Sequence, residues 1–172
     1  PSSLEAYDNH ILALARTQYH DDVAKIDKQV SGAEVVIFAE FTARDQRHAD
    51  HLAHVYCELM SRSGFEAFYI KDKDQAAVHW KIRRASFALL QKNSSEQGRF
   101  LPFIEDVAIN PAYFGEFIAA LELILAEYDM KVAFAGHVGE GNVRFMPHIN
   151  LESHATPQLI FGLEKRVNDL AY

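Results

Sequence analysis

The chain has one cysteine, Cys57, in 172 residues. A single thiol cannot close an internal disulfide, so no disulfide framework holds this fold, and a reducing, cytoplasmic setting is expected. Cys57 falls within a helical pattern and reads as buried packing. Positive charge is also scarce: 17 Lys and Arg against 24 Asp and Glu leave a net −7. That balance argues against a nucleic-acid surface as the main function. The short basic run Lys81, Arg83, Arg84 reads as the solvated face of one helix. No uninterrupted apolar stretch approaches the roughly 20 residues of a transmembrane helix. The longest, Phe117 to Ala126, is interrupted by Glu122 and reads as a buried helix. A signal-peptide pattern, an internal repeat and a low-complexity segment are all missing.

What is present is globular in kind. Hydrophobic residues make up 49%, with 12 Phe and 7 Tyr, enough to bury a core within one domain spanning residues 1–172. The chain starts at Pro1 without Met and stops inside a running pattern at Ala171 and Tyr172. Both ends look cut, so a fragment of a longer polypeptide is expected.

Leu4, Tyr7, Ile11 and Leu14 recur at helical spacing, with Ser2 or Ser3 as a cap. The β-branched, aromatic run from Glu34 to Phe41 predicts a central strand, in which Glu40 needs water or a partner. Thr42 or Asp45 caps a helix carrying Leu52, Tyr56, Leu59 and Met60, ended by Gly64. Its His48, His51 and His54 read as a polar outer face. A strand is predicted over Phe65 to Ile70. Asp72 or Asp74 opens a helix with Val78, Ile82, Ala85 and Leu89 inward; Arg83 stands off that stripe with His79, Trp80 and Phe87 nearby. Residues Asn93 to Gly98 form a polar loop. A strand follows over Phe103 to Ile109, then a helix started by Asn110 and Pro111, with Phe114, Phe117, Ile118, Leu121, Leu125 and Tyr128 buried. Two strands flank the turn after His137, the second over Val143 to Ile149. Thr156 and Pro157 begin a last helix carrying Leu159, Leu163, Val167 and Leu170. The order predicts an α+β, ferredoxin-like antiparallel sheet with helices on one face plus flanking helices, leaving the other face free.

Glycine is sparse overall, yet three of the eight fall in the window 136–141. Such a window is either a plain hairpin or a place where backbone approaches a ligand. In the strand beyond it Asn142, Arg144, Met146 and His148 share one face. His137 adjoins that face as a metal ligand, a proton carrier or a hydrogen-bond donor. Arg144 suits a carboxylate, and Arg83 suits either a ligand carboxylate or an ion pair with a neighbouring acid. Two cations on one sheet face point to a small anionic ligand.

The stretch Gly136-His137-Val138-Gly139-Glu140-Gly141-Asn142 with Arg144, the step Trp80-Lys81-Ile82-Arg83, and Pro102 to Pro111 together resemble the C-terminal domain of FAD-linked oxidases of the vanillyl-alcohol-oxidase type. That group includes D-lactate, glycolate and D-2-hydroxyglutarate dehydrogenases. The resemblance covers most of residues 33–172 and implies the same α+β architecture. It implies a substrate, or cap, domain lying over an FAD that is held mainly by a separate N-terminal domain of the same polypeptide. It implies hydride transfer from a small 2-hydroxy acid to the flavin, and leaves the electron acceptor open, with peripheral membrane contact through it as one arrangement. By position, His137 matches the first histidine of the motif and is the expected catalytic residue here, Asn142 matches the motif's asparagine, and Arg83 the arginine on the substrate carboxylate. Arg144, Asn142 and His148 are further candidates for substrate contact. Gly136, His137, Glu140, Gly141 and Asn142 are expected to face the cofactor. The fragment alone is expected to be inactive.

Some members of that group bind a divalent metal through two histidines of this motif and a later Glu-His-Gly. Here the second histidine position is Arg144, and no Glu-His-Gly occurs. A guanidinium is no metal ligand, so no bound metal is expected, and Arg144 is expected to take over the metal's electrostatic task. Two other readings stand beside this one. The first is a stand-alone ferredoxin-like module that binds a small acid and dimerises through its sheet. The second is a metal protein using His137, His148 and His154.

Overall fold

In the computed structural model the described residues are 1–93, 98–153 and 156–171. The polar loop before Gly98 and His154 lie outside them. The chain runs β1 (Ser3–Asp8), α1 (Asn9–Gln18), α2 (His20–Ala24), α3 (Asp27–Val30), β2 (Val35–Glu40), α4 (Gln46–Arg62), α5 (Lys73–Lys92), β3 (Arg99–Phe100), β4 (Ile104–Ala108), α6 (Phe114–Glu127), β5 (Val132–His137), β6 (Asn142–Ile149) and α7 (Thr156–Ala171). One antiparallel sheet forms in the order β2-β1-β5-β6-β3, and β4 also pairs with β6. The α+β class and the antiparallel sheet are as expected.

The placement of the helices differs from the expectation. They cover both faces, because β5 and β6 alternate apolar residues to either side. Ala133, Ala135 and Met146 join Tyr7, α1 and α5 in one core. Phe134, Val143 and Phe145 join α6 and α7 in the other. The face expected to be free, and to carry a dimer, is thus covered by α6 and α7 over β4–β6.

Residues 3–8 form a strand, not the first turns of a helix. The segment pairs with β2 along its full length and with β5 on its other side, and two ladders outweigh helical spacing. The helix starts only at Asn9. Its cap is Asp8, whose carboxylate accepts from the Ile11 N–H at 3.0 Å and also from the Phe134 N–H at 2.9 Å; Ser2 instead accepts from the Thr42 N–H. The strand at 35–40 is an edge and not central, and it leaves Val35 and Ile37 exposed. Glu40 at its end accepts from the Trp80 indole N–H at 2.6 Å.

Residues 65–70 have no ladder and no strand. Their β-branched and aromatic character pairs with no sheet edge, that of β2 included, and such propensity expresses itself only through pairing. Helix α4, capped by Asp45, has no buried residue. Val55 and Leu59 are exposed, and Cys57 is half-buried where full burial was expected. His48 and His51 are exposed as read, and the exposed His54 packs tilted against Tyr69 at 4.0 Å between ring centroids.

α5 is capped by Asp72 and buries Val78, Ile82 and Leu89 as expected. It also buries His79, 3% exposed, whose Nδ1 lies 2.8 Å from the Tyr7 hydroxyl and whose Nε2 lies 3.2 Å from Gln29 Oε1. Gln29 donates its own amide to Gln75, so its Oε1 accepts from His79 Nε2–H. The Tyr7 hydroxyl therefore donates to Nδ1, and the ring is neutral. Burial pushes the His79 imidazole down to about 4. An unfolded histidine titrates near 6.5, so between these values the unfolded chain binds the extra proton and stability rises with pH. The His79 contribution is complete above pH ~7 and is lost as pH falls towards ~4, a change of about 3 kcal/mol. Urea unfolding of wild type and His79→Gln across that window should show the stability difference shrinking as pH falls. A constant difference would place the charge change elsewhere.

Candidate functional site

The site arises from strand register. β1 and β5 align Ala6 with Gly136 and Tyr7 with Ala135, and β5 and β6 align Ala135 with Arg144 and His137 with Asn142. Neighbours in one row share a face. One residue beyond the β1–β5 ladder, Glu5 meets His137. The side chains of Glu5, His137, Asn142 and Arg144 thus gather at one end of the α5-covered face. Helix α5 crosses this end and brings in Trp80, Arg83 and Arg84. These residues and Gly136 line a cavity of about 390 Å³.

Glu5 is among the lining residues and is 4% exposed. Its Oε1 lies 2.6 Å from His137 Nδ1, and its Oε2 accepts from Arg83 Nε at 3.0 Å. The Ser3 hydroxyl donates a longer bond, 3.4 Å, to Oε1. Burial pushes the Arg83 guanidinium down from its ordinary value; Glu5 opposes this, and the nearby Arg144 charge adds to it. The contact with Glu5 uses one edge of the guanidinium; the Nη1–Nη2 edge is of the kind that grips carboxylates in pairs. Of the two readings of Arg83, the ion pair with a neighbouring acid is the one present.

Of the residues expected at a site, His137, Asn142, Arg144, Arg83 and Gly136 come together here. His148 does not. It shares the face, but four residues of strand carry it roughly 13 Å beyond Arg144, where it packs edge-on against Phe100 at 5.0 Å. Glu140 is exposed in the short 3₁₀ turn Val138–Glu140 and is not among the cavity's lining residues. The aromatic support expected for Arg83 goes elsewhere: Trp80 lies under Arg84 at 5.0 Å, His79 is buried with Tyr7, and Phe87 is exposed. Three lining residues escaped the sequence reading. Glu5 is hidden inside an apparent helix, Arg84 reads as solvated surface, and Trp80 enters only as part of the Trp80–Arg83 step and as a neighbour of Arg83, with no site role. The sequence signal for Glu5 is a charge on the same strand face as Tyr7.

The glycines of the turn have specific neighbours. A Cβ at Gly136 would stand 2.6 Å from Asn142 O, one at Gly139 2.9 Å from Leu4 Cβ, and one at Gly141 1.7 Å from Ile109 O. Gly141 also has φ +69° and ends the 3₁₀ turn. Among the described residues, no group of three or more His, Cys, Asp or Glu side chains is close enough to hold a metal. No described helix is long and apolar enough to cross a membrane.

Chemically, the cavity offers guanidinium donors for an anion and an imidazole able to exchange a proton. The chain is similar to a D-2-hydroxyglutarate dehydrogenase of Pantoea ananatis (strain AJ13355), with 24% identity over 159 residues, covering 87% of this chain and 16% of that protein. The chain therefore spans only 16% of the length of that relative. A family model described as FAD linked oxidases, C-terminal domain, matches residues 1–171. The chain therefore belongs to the family of C-terminal domains of FAD linked oxidases.

Proposed function

We propose that this chain is the substrate-binding, or cap, domain of an FAD-linked oxidoreductase that oxidises a small 2-hydroxy acid to its 2-oxo acid. The observation that carries the reading is the meeting of His137 with Arg83, Arg84 and Arg144 in one cavity of a chain from this family. The similarity to a D-2-hydroxyglutarate dehydrogenase supports the hydroxy-acid class.

The residues present do not fit the phosphate end of FAD. The space over Gly136, Gly139 and Gly141 is taken by the chain's own Val143, Leu4 and Ile109, so these glycines serve close packing and are no phosphate cradle. The cavity's donor set suits the substrate side of the reaction. FAD, held by a separate N-terminal domain of the same polypeptide, supplies the two-electron acceptor.

This chain's own residues then have distinct tasks. The guanidinium groups of Arg83 and Arg144 hold the substrate carboxylate, with Arg84 adding positive potential at the rim. Asn142, in register with His137, orients the hydroxyl. His137 receives the hydroxyl proton at Nε2 as the carbon is oxidised.

The test is to express the uninterrupted protein, record its visible spectrum, and add D-lactate, glycolate or D-2-hydroxyglutarate without oxygen. Bound flavin that bleaches with one of them is the expected result. A protein purified without flavin would overturn the reading.

A further inference from the structure

We propose that Glu5 is the positioning residue of this site: its buried carboxylate sets the tautomer and orientation of His137 and holds Arg83 beside it. The inference rests on the reading of His137 as the proton acceptor, and adds to it a residue on a different strand.

A carboxylate at 4% exposure in the second position from a sheet edge is costly unless both oxygens are satisfied. Here they are, by groups from two other elements: Oε1 by His137 of β5 and Oε2 by Arg83 of α5. Its direct partner across the β1–β2 ladder is the apolar Phe38, so packing alone would favour an apolar side chain there, and the carboxylate is kept by its polar partners. A carboxylate has no proton to give. In the neutral ring the 2.6 Å contact therefore places the His137 proton on Nδ1 and leaves the lone pair on Nε2. The side chain of His137 is 55% exposed while that of its partner is 5% exposed: an exposed ring is tied to a buried anchor. Arrangements of this kind, in which a second group fixes which ring nitrogen reacts, are a recurrent way to ready an imidazole.

Glu5 also separates charges. With its carboxylate removed, Arg83 would retain the nearby Arg144 charge and lose the group that opposes it. The carboxylate thus lets two guanidinium groups share one cavity wall.

The experiment is nitrogen NMR of the full chain labelled with ¹⁵N-histidine, at alkaline pH where imidazole rings are neutral. The His137 signals are assigned by their loss in His137→Phe. In wild type, His137 is expected as the Nδ1–H tautomer, although histidine in water favours Nε2–H. A wild-type ring in the Nε2–H form would overturn the proposal without any variant. In Glu5→Gln the amide is a weaker acceptor and can itself donate, so the His137 signals are expected to move towards the Nε2–H form while the other histidines keep theirs. Unmoved His137 signals would also overturn the proposal. In the full-length flavoprotein Glu5→Gln is expected to lower kcat by about 10- to 100-fold. If the tautomer follows Glu5 as expected but His137→Ala leaves turnover intact, Glu5 still positions the ring and it is the reading of His137 as proton acceptor that fails.

Discussion

His137→Ala in the full-length protein should lower kcat for the hydroxy acid by about 10²- to 10⁴-fold, the usual range for loss of a general base. The fold should tolerate the change. The His137 side chain is more than half exposed, so its removal lets water reach the Glu5 oxygen it held, while Arg83 keeps the other. A small change in Tm with a large change in kcat is the expected pattern, read by thermal unfolding and steady-state rates on the same preparation. KM should change less, since the carboxylate is held by the guanidinium groups and not by the ring. Unchanged turnover would remove His137 from the chemistry and leave it a lining residue only.

Gly141→Ala should be the most destabilising single substitution in the turn, at about 4 kcal/mol. Two effects add. The residue sits at φ +69°, where a side chain costs about 1 kcal/mol. The new Cβ would lie 1.7 Å from the carbonyl oxygen of Ile109, which is backbone and cannot swing away. The clash acts on a joint, since Ile109 N–H donates to Gly141 O at 3.0 Å and Ala108 pairs with Asn142 just beside it. Relief must open the end of the β4–β6 ladder that carries Asn142 into the cavity. Gly32 supplies the control: its φ is +73°, with nothing within 4 Å of an added Cβ. Gly32→Ala should cost about 1 kcal/mol, so the gap between the two variants in urea unfolding measures the clash. Equal losses would mean that the turn relaxes freely.

Much of the site was legible because it depends on local pattern. The parity of β6, with Asn142 and Arg144 on one face and Val143 and Phe145 on the other, follows from period-two alternation alone. The stripe of α5 and the caps at Asp45, Asp72 and Asn110 follow from spacing and from side-chain oxygens that satisfy the first turn. What was not legible depends on partners distant in sequence. Leu4, Tyr7, Ile11 and Leu14 keep helical spacing across a strand–helix junction, so the strand carrying Glu5 was invisible until β2 and β5 were placed on either side of it. The run at 65–70 has strand composition but pairs with no edge. His148 had the right face but the wrong distance, since face is set by parity and reach by strand length.

The most direct test is anaerobic reduction of the flavin in the uninterrupted protein, comparing a D-2-hydroxy acid with its amide. The two share carbon skeleton and hydroxyl and differ only in the charge that Arg83 and Arg144 would grip. Bleaching by the acid, with the amide slower by about 100-fold or more, is expected from losing a charged contact of about 3 kcal/mol. Equal bleaching by both would contradict the assignment of this cavity as the site that holds the substrate's carboxylate.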